Sequence, residues 1–371
     1  MKNNLKRKNM KKRLISPLFF IALPIYLAVS AILELAKRSV TLADKINGGI
    51  AQTVRRFMAT LTAPADFSIF ECIVISLFII VPIIIAVAVN RFKRREGRLR
   101  LISWLLAVIM LLLSGNTICL GFGYRTTPLR ENLSLEYVEI TEDRLAESLI
   151  YVRDQLNLLS LSIEYKEDGT SIGYDLDEVS EKLCLAFEDV SEEYKFFDNF
   201  ESRVKPVKNG AAMTYLGISG IYTYYTGESN VNTAFPIAEM TYVAAHELSH
   251  QRGIMRENEA NFMAYLVTTS SDDLYLNYAG YLSMYQYLAS ALYRTNKDRY
   301  YEINLSLSSG PRGDIAEINR VILAYGDTFI ADISSFVNDV FLKSSGTAGV
   351  VTYGEVVKLT VAYYHDLGII S

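Results

Sequence analysis

Three long uncharged runs occupy the first third of the chain. They cover Leu14 to Leu33, Cys72 to Val89 and Leu101 to Tyr124, and contain 20, 18 and 24 residues. A bilayer core of ~30 Å needs about 20 apolar residues, so each run predicts a membrane-spanning helix rather than a buried helix of a soluble protein. The first run also exceeds the apolar part of a cleaved signal peptide, ~7–15 residues. We predict spans at about 14–35, 69–90 and 101–122, within a membrane domain of residues 1–124.

The connector between the first two spans has a helical pattern of its own. Its apolar positions are Leu42, Ile46, Ile50, Val54, Phe57 and Met58. Such spacing predicts an amphipathic helix that lies on the outer surface of the membrane.

After residue 124 the apolar positions recur at shorter helical intervals, which predicts a water-facing domain over 125–371. Thr141 and Asp175 are the predicted N-caps of its first two helices. The stretch from Met213 to Phe235 is rich in Tyr, Thr, Ile and Gly and predicts short strands. We therefore expect a mainly helical α+β fold. Later helices are predicted from Ala238 onward, with breaks at Gly253, near Ser270 and around Gly310-Pro311, and a last helix at about 355–364.

Charge divides the chain near the same point. Residues 1–120 contain 18 Lys and Arg against 5 Asp and Glu, whereas residues 121–371 contain 19 against 36. An acidic domain of this size repels phosphates, which argues against a nucleic-acid partner. The lipid bilayer is the partner that the first part predicts.

Basic residues flanking the spans predict their orientation. Clusters at residues 2–13 and 91–100 should stay in the cytoplasm, which places the N-terminus inside and residues 125–371 outside the cytoplasm. The connector carries five basic residues that oppose this assignment, although more sparsely: Lys37, Arg38, Lys45, Arg55 and Arg56.

The candidate chemistry lies at His246-Glu-Leu-Ser-His250. Histidines at positions i and i+4 share one helix face and can bind one Zn²⁺ through nitrogen. Glu247 is turned about 100° around the helix axis, so it can serve as general base without binding the metal. Since the chain has only three histidines, this spacing around a glutamate is unexpected for a chance match on a solvated helix.

A catalytic zinc needs a third protein ligand and an open position. The candidates are Glu257, Glu259 and His365. We favour Glu257, because a turn at Gly253 would let the next helix fold back toward the histidines. Asn261, at i+4 from Glu257, is then a predicted partner of that carboxylate.

Sequence motifs around these residues resemble a known family. The runs G-I-S-G-I-Y, Y-T-G-E-S-N-V-N, A-A-H-E-L-S-H-Q-R-G and R-E-N-E-A-N-F, between 217 and 262, are similar to a bacterial family of membrane metallopeptidases catalogued as a domain of unknown function, the thirty-eight-ten family. H-E-x-x-H with a later E-x-x-A-N also resembles the gluzincin proteases. That likeness implies a glutamate ligand at Glu257, with Asn261 where gluzincins have aspartate and a shorter gap after His250.

We therefore expect a membrane-anchored zinc metallopeptidase that acts on peptide or protein substrates of the membrane or envelope. The alternative is a sensor or scaffold in which zinc only holds the fold. Residues 228–235 are a candidate edge strand that pairs with substrate, with Asn230 and Asn232 facing the cleft. Candidate tyrosines for stabilising an oxyanion are Tyr353, Tyr265 and Tyr225.

Overall fold

The computed structural model describes residues 14–94, 97–325, 339, 343 and 353–371. It is mainly helical, with one small sheet, as predicted. Three helices are long and apolar enough to cross a membrane: α1 (Pro17–Ala36), α4 (Ile69–Arg94), and α5 (Arg98–Asn116), which a π-helical turn, Thr117–Gly121, continues. Their surfaces are largely exposed and apolar, so these helices suit a lipid environment.

The predicted helical connector forms two helices joined by a π-helical turn. Helix α2 (Val40–Ile46) begins at Ser39, whose side chain accepts a hydrogen bond from the backbone of Leu42. The π-helical turn Asn47–Ala51 follows, and α3 (Gln52–Thr62) continues it. The helical prediction for this segment is therefore confirmed.

Helices of the later part begin where the sequence predicted. The Thr141 side chain accepts from Arg144, and the Asp175 side chain accepts from Asp177 and Glu178, so both N-caps are confirmed. The helices are α6 (Leu129–Asn132), α7 (Glu142–Leu159), α8 (Leu176–Glu193), α9 (Gly210–Tyr215), α10 (Ile237–Gln251), α11 (Glu257–Ser270), α12 (Leu274–Thr295), α13 (Lys297–Asn304), α14 (Ser309–Tyr325) and α15 (Tyr353–Asp366).

Three strands form the sheet in the order β1-β3-β2. They are β1 (Val204–Val207), β2 (Gly220–Thr223) and β3 (Glu228–Asn232). Strand β3 pairs parallel with β1 and antiparallel with β2. The prediction of an edge strand at 228–235 is therefore wrong, because β3 is the central strand and β2 lies at an edge.

Side chains from this sheet form hydrogen bonds with unpaired backbone groups at the ends of two helices, α3 and α4. Lys205 on β1 is 1% exposed, and its ammonium donates to the carbonyls of Thr62, Ala63 and Ala65 at the end of α3. Glu228 on β3 accepts from the backbone N–H groups of Ile69 and Phe70 at the start of α4, at 3.0 and 2.8 Å. Free carbonyls attract cations and free N–H groups attract anions, so both contacts match the helix dipoles.

The main hydrophobic core lies among α7, α8, α10, α11, α12 and α15. Helix α10 turns Ala244, Ala245 and Leu248, all 0% exposed, toward this core. Its opposite face is left to carry polar side chains beside β2 and α11, where the candidate metal ligands lie.

Candidate metal centre

The end of α10 is shaped by Gly253. This residue has a φ of +101°, a conformation that favours glycine. Its N–H donates to His250 O, and the N–H of Ile254 donates to Ser249 O, which together make a Schellman motif. The predicted helix break at Gly253 is confirmed, and the chain reverses into α11.

This reversal also orients the second histidine. Nδ1 of His250 donates to the carbonyl of Ile254 at 2.8 Å. Because a carbonyl only accepts, the proton lies on Nδ1, and Nε2 is free to bind a cation. His246 differs, since its buried Nδ1 has no hydrogen-bond partner among the described residues.

Glu257, the first residue of α11, meets both imidazoles. Its Oε2 lies 3.4 Å from Nε2 of His246, and its Oε1 lies 3.5 Å from Nε2 of His250. The three groups offer ligand atoms that all lie within 4.8 Å of one another. Two ligands that bind zinc at ~2.0–2.1 Å in a tetrahedron lie about 3.3–3.4 Å apart, so the observed spacing fits one zinc ion.

The charges at the site are strongly coupled. Burial lowers the pKa of the His250 imidazole, but the carboxylates of Glu257 and Glu247 and the hydrogen bonds raise it to about 9. Burial raises the pKa of Glu257, yet the two imidazoles hold it well below its usual range. Protons and a divalent cation, if one binds here, would therefore compete for the same side chains.

Glu247 lies beside these three groups without joining them. It is 4% exposed, and burial raises the pKa of its carboxyl, although both imidazoles oppose that rise. The backbone of Tyr222 on β2 hydrogen bonds its carboxylate. A Cβ at Gly220 would lie 2.6 Å from Oε1 of Glu247, so the glycine lets β2 approach this carboxylate closely.

The other two candidates for third ligand are elsewhere. Glu259 is 7% exposed, accepts from the N–H of Leu129 at 3.0 Å and pairs with Arg256 at 2.9 Å. It therefore caps α6 and is already satisfied. His365 lies near the end of α15 and does not belong to the group of possible ligands found among the described residues.

Asn230 and Asn232 do not face the cleft, contrary to prediction. Both are 0% exposed on the central strand. The Asn230 amide donates to the carbonyls of Ile221 and Glu228, and the Asn232 amide donates to Thr214 and Ile218. They hold loops and strands together.

The remaining predicted residues have separate positions. Asn261 lies one turn after Glu257, and its backbone carbonyl accepts from the Tyr242 hydroxyl at 2.7 Å. Tyr265 is 1% exposed and hydrogen bonds Tyr364 in the core, so it is not available to an oxyanion. Tyr225 lies in the turn after β2. The side chain of Tyr353 lies outside the described part of the structure.

Two aromatic residues at the site were missed in the sequence. Tyr124, Tyr222 and Met255 form a small buried cluster beside the turn that follows α10. Burial and the charge of Glu257 together raise the pKa of Tyr124, which places its phenol within electrostatic reach of the carboxylate. Tyr222 ends the motif G-I-S-G-I-Y, which is a sequence signal. Tyr124 has no such signal, because its neighbours in the chain do not indicate contact with residues more than 120 positions later.

Glu239 is a further acid on the face of α10 that carries His246. It precedes His246 by seven residues, or two turns. It makes no hydrogen bond or ion pair with another residue in the described part of the chain, and burial raises its pKa to about 7. The signal that could have revealed it is its i, i+7 spacing to the histidine.

Replacing Glu239 with glutamine is expected to stabilise the protein at alkaline pH. Because the pKa of Glu239 is raised, the folded protein is stabilised by the neutral acid. This contribution is complete below about pH 4.5 and is lost as the pH rises through about 7. Glutamine stays neutral, so the free energy of unfolding should rise on the order of 2–3 kcal/mol at pH 8 and much less near pH 5. Thermal unfolding at both pH values measures this, with exposed Glu181→Gln on α8 as the matched control. An equal gain at both pH values would contradict it.

One family comparison gives a match. A family model described as Protein of unknown function (DUF3810) matches residues 47–361, which include every residue of the candidate metal centre. No curated protein and no solved structure matches the chain.

Proposed function

The chain belongs to the family described as Protein of unknown function (DUF3810), and from that premise, which assigns no activity, we propose that it is a membrane-anchored zinc peptidase. The family prediction made from the motifs is confirmed; the gluzincin-like activity is our proposal. We also propose that the N-terminus is cytoplasmic and that the part after residue 124 lies outside the cytoplasm, from the basic flanks of the spans.

One observation carries the proposal. His246, His250 and Glu257 converge on one point, while Glu247 lies beside that point and outside the ligand group. A structural zinc site closes with four protein ligands, whereas a catalytic site has three and an open position. The arrangement of three ligands and an adjacent buried acid favours hydrolysis over the scaffold alternative.

Each residue has a distinct role in the proposed reaction. Zinc, when bound, would acidify a water molecule and polarise the peptide carbonyl. Glu247 takes a proton from the attacking water and passes it to the leaving amine. Burial, which raises the pKa of this carboxyl, makes it a stronger proton acceptor than an exposed glutamate. His246, His250 and Glu257 would hold the zinc, and the hydrogen bond from His250 to the carbonyl of Ile254 orients the His250 imidazole.

Strand β2 replaces β3 as the proposed substrate edge. Among the described residues it pairs with β3 along one side only, and its residues Gly220 and Tyr222 contact Glu247. An extended peptide added to the other side of β2 would place its backbone next to the general base. The proposed binding by strand addition is therefore unchanged, but the strand that receives the substrate is β2 instead of β3.

Metal removal tests the proposal on the full-length protein. We expect one zinc per chain by elemental analysis and hydrolysis of a mixed-sequence peptide library, followed by mass spectrometry. Dialysis against a chelator should abolish hydrolysis, and stoichiometric zinc should restore it. A protein that binds zinc tightly but shows no hydrolysis under any of these conditions would support the scaffold alternative.

A further inference from the structure

Helix α3 has an inverted distribution of polar and apolar side chains. The side that packs on the protein carries Gln52, Arg55 and Thr62, which are 5%, 0% and 5% exposed. The opposite side, which we call the apolar face, is formed by Phe57 and Leu61, exposed by 63% and 62%, together with Ile50 of the preceding π-helical turn, exposed by 66%. Exposed apolar rows of this size are unfavourable in water and mark a contact surface.

The apolar face belongs to a helix that adjoins the end of the third span, where Arg55 donates to the carbonyl of Cys119 at 3.0 Å. Helix α3 lies between α1 and α4 in the chain, and both of these expose apolar side chains along their lengths. A helix with a strongly apolar side next to such a surface is typical of insertion at the level of the lipid headgroups. Lipid is therefore the occupant that this position, beside a candidate spanning helix, supports.

We propose that the apolar face of α3 is inserted in the bilayer leaflet nearest the candidate metal centre, so that the centre opens at the lipid surface and takes polypeptides that are themselves anchored in the membrane. The first half of this proposal concerns lipid contact alone. The second half rests on the proposed peptidase function.

Direct contacts join α3, the π-helical turn before it and the end of the third span to the turn between His250 and Glu257. The Asn47 amide donates to the carbonyl of Gly253 at 3.0 Å, and Arg55 donates both to Asn47 and to the carbonyl of Cys119 in the third span. A Cβ at Gly123, just after that span, would lie 2.3 Å from the side chain of Met255. The turn between the candidate ligands His250 and Glu257 therefore packs against the end of the third span.

The turn between β2 and β3 reaches further along the span. The Tyr224 hydroxyl donates to the carbonyl of Leu112 at 2.9 Å. Leu112 precedes the end of the span at Gly121 by nine residues, or about 13–14 Å of helix. Strand β2 therefore leads from Gly220 beside Glu247 toward the depth of the lipid, and Tyr224 follows Gly220 by only four positions.

This direction determines the class of substrate. A peptide paired along β2 would have one end at the general base and the other directed at the bilayer. Four residues of extended chain reach about 13–14 Å, so a membrane-anchored polypeptide can present a bond only a few residues outside its anchor. Polypeptides cut close to their membrane anchor are the substrates that fit.

Tryptophan fluorescence in vesicles tests the lipid contact without any activity. Trp104, the single tryptophan, is first replaced by phenylalanine. In that background Phe57→Trp is compared with Leu161→Trp, at a position that is 82% exposed in the part of the chain after residue 124. Vesicles carry lipids brominated near the headgroup end of their acyl chains, and circular dichroism confirms that each variant is folded. We expect at least several-fold stronger quenching of the tryptophan at 57. Equal quenching at the two positions would overturn the lipid contact, whether water or another protein covers that face.

Spacer length tests the substrate class. The full-length protein, in vesicles, is given a mixed-sequence peptide segment fused to a membrane anchor through a 4-residue or a 40-residue spacer, beside the free peptides. We expect cleavage at least 10-fold faster with the short spacer. Equal rates for both spacers would overturn the substrate class while leaving the peptidase intact. Absence of cleavage in all three would reject the peptidase and the substrate class together, with the quenching result still deciding the lipid contact.

Discussion

Replacement of Glu247 by glutamine is expected to lower the rate of peptide hydrolysis by roughly 10²–10⁴ while the protein keeps its zinc. The amide has the shape of the acid but cannot accept a proton. Glu247 is not one of the three converging ligands, so its loss should leave the metal in place. Initial rates and elemental analysis of the same preparation measure both quantities.

Two results would contradict this assignment. Hydrolysis at the wild-type rate would mean that another group removes the proton. Loss of zinc together with activity would make Glu247 a ligand. Unfolding temperature provides the folding control, because the glutamine variant removes a carboxyl that burial already disfavours in its charged form.

Replacement of Glu257 by glutamine is expected to weaken zinc binding by more than the ~10–100-fold that the loss of an outer partner costs. Among the described residues, Glu257 supplies the only carboxylate that forms a possible ligand group with both imidazoles. Zinc affinity measured by competition with a chromogenic chelator gives the effect directly, and hydrolysis should fall with zinc occupancy.

Glu259→Gln is the matched control, two residues further along the same helix. Glu259 accepts from Leu129 and pairs with Arg256, so its loss should cost about 1.5–3 kcal/mol of stability and leave zinc affinity unchanged. Zinc retained in the Glu257 variant and lost in the Glu259 variant would reverse the assignment of the third ligand.

Features that depend on neighbours along the chain were predictable from the sequence. The N-caps at Thr141 and Asp175, the reversal at Gly253 and the spans follow from local residue chemistry. The convergence of Glu257 with the histidines followed from the same reversal, because a short turn leaves the next helix few directions.

Features that depend on distant partners were not predictable. The sequence does not reveal that β3 is central, because β1 is only four residues long and pairs with β3 in parallel across more than 20 residues. Without β1, a strand rich in Asn and Ser resembles an exposed edge. The burial of Asn230 and Asn232 follows from that pairing.

Arg55 illustrates the same limit for charge. By sequence alone, Arg55 is one of the five basic connector residues that oppose a cytoplasmic N-terminus. In the structure it is fully buried and donates to carbonyl and amide oxygens of Asn47, Cys119 and Gln52. A charge enclosed in this way belongs to the packing of the protein and contributes little to the orientation rule, which concerns loops exposed to the cytoplasm.

The caps that Lys205 and Glu228 place on α3 and α4 set an order of events during synthesis. These side chains follow the helix ends that they satisfy by 143 and 159 residues. At ~5–20 residues per second, a ribosome needs on the order of 10 s to make that stretch. Throughout that interval the ends of α3 and α4 lack these partners, and they acquire them only when the sheet docks on them. A nascent chain stalled before residue 204 should therefore be a substrate for membrane quality control.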